Sequence, residues 1–310
     1  MAGRFLSVSS ASQTADLARA TVLALAESSD ASWQKIAQDL LLLRNNGSAV
    51  EWHLVQGDLP WPRLGTPLFS EILRQGSLFA PELEELPEVE GAHRDLDELR
   101  ANGYAMTLCC EENYPVQLLD AQQVPPFIFF AGEIVPSDSQ GVAIIGTRDA
   151  SDPALEAASR FASDLAKAGR TVVSGLAAGV DTAALTAALE ANGRVVAVIG
   201  TGITRFYPAE NRQLQNDIAQ HGLLISQFLP RATPSKTSFP MRNAVMSAYA
   251  KASLVVQADD RSGARLQARI AAKQGRAVYL YEPIMKHESW AQTMVTKGEA
   301  TFVTSVQDIG

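Results

Sequence analysis

The sequence is poor in cysteine, with only Cys109 and Cys110, and the two are adjacent. Neighbours in a chain cannot form an ordinary disulfide with each other, so a cross-linked scaffold is excluded and a reducing cytoplasm is the expected setting. Histidine is scarce as well. His53, His93, His221 and His287 are scattered without metal-ligand spacing, and each reads as a surface or structural residue. No run of about eighteen apolar residues occurs, so no membrane span is expected. The opening "MAGRFLSVSSASQTADLARA" lacks a basic segment followed by an apolar one, so secretion is not expected. A Walker A lysine motif is missing. The G-x-G-x-x-G fingerprint fails too, because "GTGITR" puts Arg205 where the last glycine belongs. NAD or ATP use is therefore not expected, and no cofactor is assigned. No Ser–His or Cys–His pair and no acidic cluster for a catalytic metal stands out, so no catalytic or metal residues are assigned.

What the chain does have is apolar mass. Its 310 residues are 46% hydrophobic, enough for one large domain and a small one. The net charge of −8 disfavours a polyanionic partner until its distribution is read. Residues 1–140 carry 8 Lys/Arg and 20 Asp/Glu; residues 141–283 carry 16 and 11. Within 231–276 there are 9 basic residues and 2 acidic ones. A basic segment in an acidic chain is a candidate anion site, because local potential outweighs the total; arginines decorating exposed helices are the plain alternative.

Residues 14–57 read as helical, from apolar spacing in "ADLARATVLALAE" and "WQKIAQDLLLLRNNG". Residues 58–99 read as an acidic, proline-containing connector with one short helix near 68–76. "YAMTL" and "PFIFFAG" look like strands. From Val142 onward, short apolar strands alternate with helices: "VAIIG", "TVVSG", "RVVAVIG", "LLISQF", "SLVVQA" and "RAVYLYE", and a weaker last pair near 287–297 and 300–304. Asp152 is the expected cap of the first of these helices, with Pro153 behind it. Such alternation predicts an α/β fold, a doubly wound, mostly parallel Rossmann-like sheet, beside a small N-terminal helical domain. The domains expected are 1–57, the connector 58–99 and 100–310.

Ligands of such sheets bind beyond the carboxyl ends of the strands, so the residues there are the informative ones. They are Gly146, Thr147 and Arg148 after the first strand, then Ser174, Gly175, Gly179 and Asp181 after the second. Gly200, Gly202, Arg205 and Tyr207 follow the third. The loop after the fourth gives Lys236, Phe239, Arg242 and Asn243, and the fifth is followed by Arg261, Ser262, Gly263, Arg265 and Arg269. Glycine, small hydroxyl and arginine recur around one rim. Glycine lets a backbone approach a ligand, Ser174 can donate to a phosphate, and arginine forks bind phosphate in pairs of hydrogen bonds. Asp181 caps its helix on the simplest reading; holding the loop or a ribose hydroxyl are the others. Phe239, between Lys236 and Arg242, is either a stacking platform for a base or a core phenylalanine beside Pro240.

These stretches carry a resemblance. "VAIIGTR", "VVSGLAAGVDTAAL", "VIGTGITRFYPAEN", "FPMRN" and "LVVQADDRSGARLQARIAAKQGRAVY" resemble, in order, the DNA-processing protein A (DprA/Smf) family of SLOG Rossmann-like proteins. The likeness covers roughly 100–283. It implies binding of single-stranded DNA in a basic pocket without turnover. It also implies a homodimer through the Rossmann domain and delivery of the strand to the RecA recombinase. Arg148, Ser174, Gly175, Phe239, Arg242, Asn243, Ser262 and Gly263 would line that pocket, with Lys236 adding a phosphate contact. The chain departs from the family pattern at Thr147, Met241, Ala244, Gln257 and Ala264. The winged-helix-like domain often found after this sheet is not expected, nor is a helix-hairpin-helix before it. Such departures suit a divergent member working through another partner, such as an operon-encoded toxin in a toxin–antitoxin or anti-phage system. The acidic N-terminal part is then either a partner surface or a solvated face. Two other functions fit the fold: a sensor of a nucleotide-derived small molecule, and, ranked last, a nucleotide phosphoribohydrolase, whose "PGGxGTxxE" signature is missing.

Overall fold

The computed structural model describes residues 8–27, 32–46 and 85–310. They fall into two compact units. One comprises Met1–Tyr114 with Pro125–Phe127; the other comprises Pro115–Val124 with Ile128–Gly310.

In the first unit, α1 (Val8–Glu27), α2 (Trp33–Asn46) and α3 (Pro87–Ala101) precede a short strand, β1 (Ala105–Leu108). The two expected N-terminal helices are present, although α1 begins six residues earlier than its apolar pattern suggests, and 47–57 and the helix near 68–76 lie outside the described residues. Residues 87–99, expected as acidic connector, are helical instead. Pro87 sits in the first turn, where no amide hydrogen is needed. Val89, Ala92, Leu96 and Leu99 are buried at helical spacing, and Glu88 and Glu90 favour the positive end of the helix dipole. Cys109 and Cys110 are both free thiols. Burial pushes both up, Cys110 to about 11 with help from Glu111, so neither is a thiolate near neutrality.

The second unit is built on a sheet. Its strands are β2 (Phe127–Gly132), β3 (Val142–Ile145), β4 (Val172–Ser174), β5 (Val195–Val198), β6 (Leu223–Ser226), β7 (Ala252–Val255), β8 (Ala277–Tyr281) and β9 (Thr301–Val303). They lie in the order β2-β6-β5-β4-β3-β7-β8-β9. All neighbours are parallel except β2, which runs antiparallel to β6 with Phe129 opposite Ser226. Strands β3 to β7 are buried at every position, which is why they read as unbroken apolar runs rather than alternating ones. The helices are α4 (Asp152–Lys167), α5 (Val180–Glu190), α6 (Arg212–His221), α7 (Ser238–Tyr249), α8 (Gly263–Lys273), the single turn α9 (Glu282–Met285) and α10 (Ser289–Thr296).

The chain steps from β3 outward through β4, β5 and β6, then returns to place β7 on the other side of β3. The order therefore reverses between β3 and β7, the point where open α/β sheets leave a crevice at their carboxyl ends. At the opposite end, the fully buried Asp138 accepts hydrogen bonds from Arg194 Nε (3.0 Å) and Nη2 (2.9 Å), Tyr249 Oη (2.9 Å) and Thr171 Oγ1 (3.0 Å). This network clamps the starts of β3, β4 and β5 and leaves the other edge for the site.

Two helix starts differ from the sequence reading. Ser151, not Asp152, precedes α4; Asp152 and Pro153 lie in its first turn, and the Ser151 amide is held by Gln257 Oε1 at 2.9 Å. Helix α7 begins at Ser238, so Phe239, Arg242 and Asn243, expected in a loop, sit on its first turns. Pro240 is tolerated there because the first amide hydrogens of a helix have no partner within it.

Candidate functional site

The carboxyl ends of β3, β4, β5 and β7 and the start of α7 bound two adjoining clefts. The larger, of 540 Å³, is lined by Leu155, Gly179, Gly200, Tyr207 and Asn211, among others. The smaller, of 350 Å³, is lined by Thr147, Asn243, Asp259, Arg261, Ser262 and Gly263, among others. Arg148, Ala177, Phe239 and Arg242 line both. The exposed Arg148 guanidinium lies 5.0 Å above the Phe239 ring, and the Tyr207 ring is 5.7 Å from it, tilted by 40°. A pair of aromatic rings capped by a cation thus stands between the two spaces. The Phe239 ring is half-buried in the cleft wall and is not a core residue.

Beneath this pair lies a second arginine with a different task. Arg242 is 5% exposed, and its Nη1 donates to the carbonyls of Gly175 and of Val198, the latter at 2.8 Å. These carbonyls end β4 and β5, so the guanidinium ties the two strand ends together. Burial lowers its pKa and nearby Arg148 lowers it further, while Asp181 opposes them. Asp181 is equally buried. Its Oδ2 accepts from the amides of Gly175 (3.1 Å) and Ala177 (3.5 Å), so the carboxylate holds the loop between β4 and α5. No side chain caps α5. Burial raises the Asp181 pKa against the pull of Arg242 and the two amides.

The other expected residues divide into those at the clefts and those spent on packing. Ser174, expected to donate to a phosphate, is fully buried and donates to the Ile144 carbonyl at 2.6 Å, because it is the last residue of an inner strand. The glycines, expected to admit a ligand, admit other parts of the protein. A Cβ on Gly146 would strike Val180, one on Gly175 would strike Arg242, and one on Gly200 would come within 2.8 Å of Phe239. Gly202 is buried against the Leu229 and Pro230 carbonyls and lines neither cleft. Gly179 has the left-handed φ of 78° that only glycine adopts without strain, and it packs on the carbonyls of Thr147 and Arg148. Arg205, exposed, donates to the Arg231 carbonyl at 3.1 Å, and exposed Lys236 stands apart; neither lines a cleft.

At the smaller cleft, Ser262 caps α8, its Oγ accepting from the Ala264 amide at 3.2 Å, and Asn243 Nδ2 donates to the Gly263 carbonyl at 3.4 Å. Arg261 is exposed. Gln257 holds the loop after β3, its carbonyl accepting from the Thr147 amide at 2.8 Å. Sequence reasoning missed Asn211, whose Nδ2 donates to the Leu176 carbonyl (3.0 Å) and Thr182 Oγ1 (2.7 Å) on the wall of the larger cleft. The asparagine ends the quoted "FYPAEN", but only the fold turns it toward α5. Leu155, Thr182 and Glu210 are likewise contributed by helices and carry no local signal. Among the described residues, no group of three or more His, Cys, Asp or Glu could hold a metal ion, and no helix is long and apolar enough to cross a membrane.

This arrangement can be set beside known proteins. The family model for DNA recombination-mediator protein A matches residues 105–310. The DNA processing protein DprA of Streptococcus pneumoniae is 30% identical over 228 residues, covering 73% of this chain and 79% of that protein. Protein Smf of Synechocystis is 37% identical over 173 residues, 54% of this chain and 44% of its own length, and DprA of Bacillus subtilis is 32% identical over 63% and 64%. The chain thus spans less than two thirds of these last two relatives. The crystal structure of Streptococcus pneumoniae DprA superposes with a TM-score of 0.69 at 25% identity, covering 94% of this chain and 96% of that one. A structure of DprA from Helicobacter pylori, described with its single-stranded DNA binding mode, gives a TM-score of 0.60 at 28% identity over 66% and 93%. With the family model matching two thirds of its length on the sheet that carries the clefts, the chain belongs to the DNA recombination-mediator protein A family.

Proposed function

We propose that this protein binds single-stranded DNA across the two clefts and works by binding, not by turnover. The observation that carries this reading is the Arg148–Phe239–Tyr207 cluster standing between two open spaces. A single strand needs cations for its phosphates and flat groups for its bases, and here both are within one side chain's reach. Arg148 and Arg261 are exposed for phosphates, with the N-terminus of α8 beside them, while Phe239 and Tyr207 offer ring faces. The relative from Helicobacter pylori, described with its single-stranded DNA binding mode, supports the same ligand.

The test is binding of a labelled oligonucleotide at low salt. Arg148→Ala is expected to weaken it at least several-fold with the fold intact; unchanged affinity removes the site assignment. A second reading has one observation behind it: the larger cleft, at 540 Å³ and partly apolar, has the size of a small-molecule site, so a nucleotide-derived signal would fit. In that case a mononucleotide would displace the oligonucleotide at equal concentration. The wider role we propose is recombination mediation as a homodimer in the cytoplasm, handing the strand to a protein partner of the RecA type or answering to an operon-encoded toxin. Light scattering of the purified chain tests the dimer, and a monomer at tens of micromolar would remove it.

A further inference from the structure

A second basic groove lies along the far part of α8. It measures 490 Å³ and is lined by Arg265, Arg269, Lys273 and Lys297 against a single carboxylate, Glu299. Trp290, Met294 and Ala272 also line it, and Trp290 and Met294 are buried. Arg265 is fixed: its Nη1 is 2.8 Å from Asp260 and its guanidinium lies 5.9 Å from the Trp290 ring centre. Arg269, Lys273 and Lys297 are exposed, and none of them forms an ion pair with a described residue; Glu299 is the one carboxylate in the lining.

Geometry links this groove to the first site. Helix α8 begins at the smaller cleft, which its residues Gly263, Ala264 and Gln267 line. Arg265, Arg269 and Lys273 follow at four-residue intervals on one face of the same helix. At 1.5 Å per residue they form a row with a step of about 6 Å, leading away from that cleft. Lys297, just beyond α10, stands across the groove. Cations in a row, opened to solvent above a partly apolar wall, match a linear polyanion better than a compact one.

We propose that this groove carries the phosphates of the same strand beyond the first site, making α8 a rail between the two. The inference rests on the single-strand reading above. Its test uses the full chain with Arg269→Ser, Lys273→Ser and Lys297→Ser combined; all three side chains are exposed, so the fold is retained, and thermal unfolding verifies this. Oligothymidylates of about six and about twenty nucleotides are compared, the shorter sized to the first site alone. The variant should bind the short strand as the parent does, and bind the long strand on the order of tenfold more weakly at about 0.1 M salt. Its salt slope on the long strand should be shallower by about 2, from roughly 0.7 per lost phosphate contact. Equal affinity and slope for the long strand overturn the proposal while leaving the first site standing. Equal losses on both strands also overturn it, since they would mean a diffuse field and not a path. A parent that binds neither strand overturns the single-strand reading and this inference together.

Discussion

The two arginines at the clefts should separate cleanly into one that holds the protein and one that holds the ligand. Replacing Arg242 by alanine removes the donor that joins the Gly175 and Val198 carbonyls. Each charged hydrogen bond to a buried acceptor is worth about 1.5–3 kcal/mol. The loss also leaves Asp181, 5% exposed, without its nearby cation. Removing one member of a buried charged arrangement costs about 3–5 kcal/mol, and part of the gain from the two bonds is already offset by the buried Arg242 Nε, which has no partner. We therefore expect Arg242→Ala to lose about 3–5 kcal/mol, a fall of ~10 °C in Tm for a domain of this size. Arg148→Ala removes only an exposed cation above a ring, worth about 0.5–1 kcal/mol, so its Tm should move by at most a few degrees. Calorimetric unfolding of both variants at one pH reads the contrast. Arg242→Ala melting within ~2 °C of the parent, or Arg148→Ala melting as early as Arg242→Ala, would refute the division.

The same geometry yields further expectations. Gly175→Ala places a methyl where Arg242 Nη1 lies, so it should destabilise much as Arg242→Ala does, and the double variant should lose far less than the two losses added; additivity in a double-mutant cycle would contradict the shared contact. Phe239→Ala should lower oligonucleotide affinity by about 1–3 kcal/mol with the salt slope unmoved, since stacking releases no counterions; a changed slope at constant affinity would contradict the platform. Burial raises the Asp181 pKa above the unfolded value of 3.8, so the folded state takes up a proton first as pH falls. The parent should therefore gain stability relative to Asp181→Asn as pH drops from neutral toward that value, and level off below it; denaturant midpoints with a pH-independent difference would count against a desolvated carboxylate.

Much of the fold was legible because inner parallel strands leave an unmistakable trace: "VAII", "VVAV" and "LLIS" are buried residue by residue. Proline obscured one helix and the first turn of another: Pro87 falls in the expected connector and Pro240 just ahead of a helical stretch, yet both occupy first turns where a missing amide hydrogen costs nothing. Arg148, Phe239, Arg242, Asn243, Arg261, Ser262 and Gly263, read from the strand ends, all line the two clefts. What each residue does there was less legible. A serine at the end of a strand looks the same in sequence whether it faces a ligand or, like Ser174, a neighbouring strand. An arginine among cations looks free whether it is exposed like Arg148 or locked onto carbonyls like Arg242. The glycines mark the turns at the strand ends, but the space beside them is filled by Val180, Arg242 and Phe239 rather than left open. Only the packing of distant elements decides such cases.

The central claim, a polyanionic strand held by several cations and flat rings above the carboxyl edge of a parallel sheet, is tested most directly by the salt dependence of binding. Oligothymidylate affinity, measured across a series of salt concentrations, should fall along a line with a slope of about −0.7 for each phosphate held, several-fold steeper than for a thymidine mononucleotide. A slope no steeper than the mononucleotide's, or no measurable binding at the lowest salt, would contradict the account.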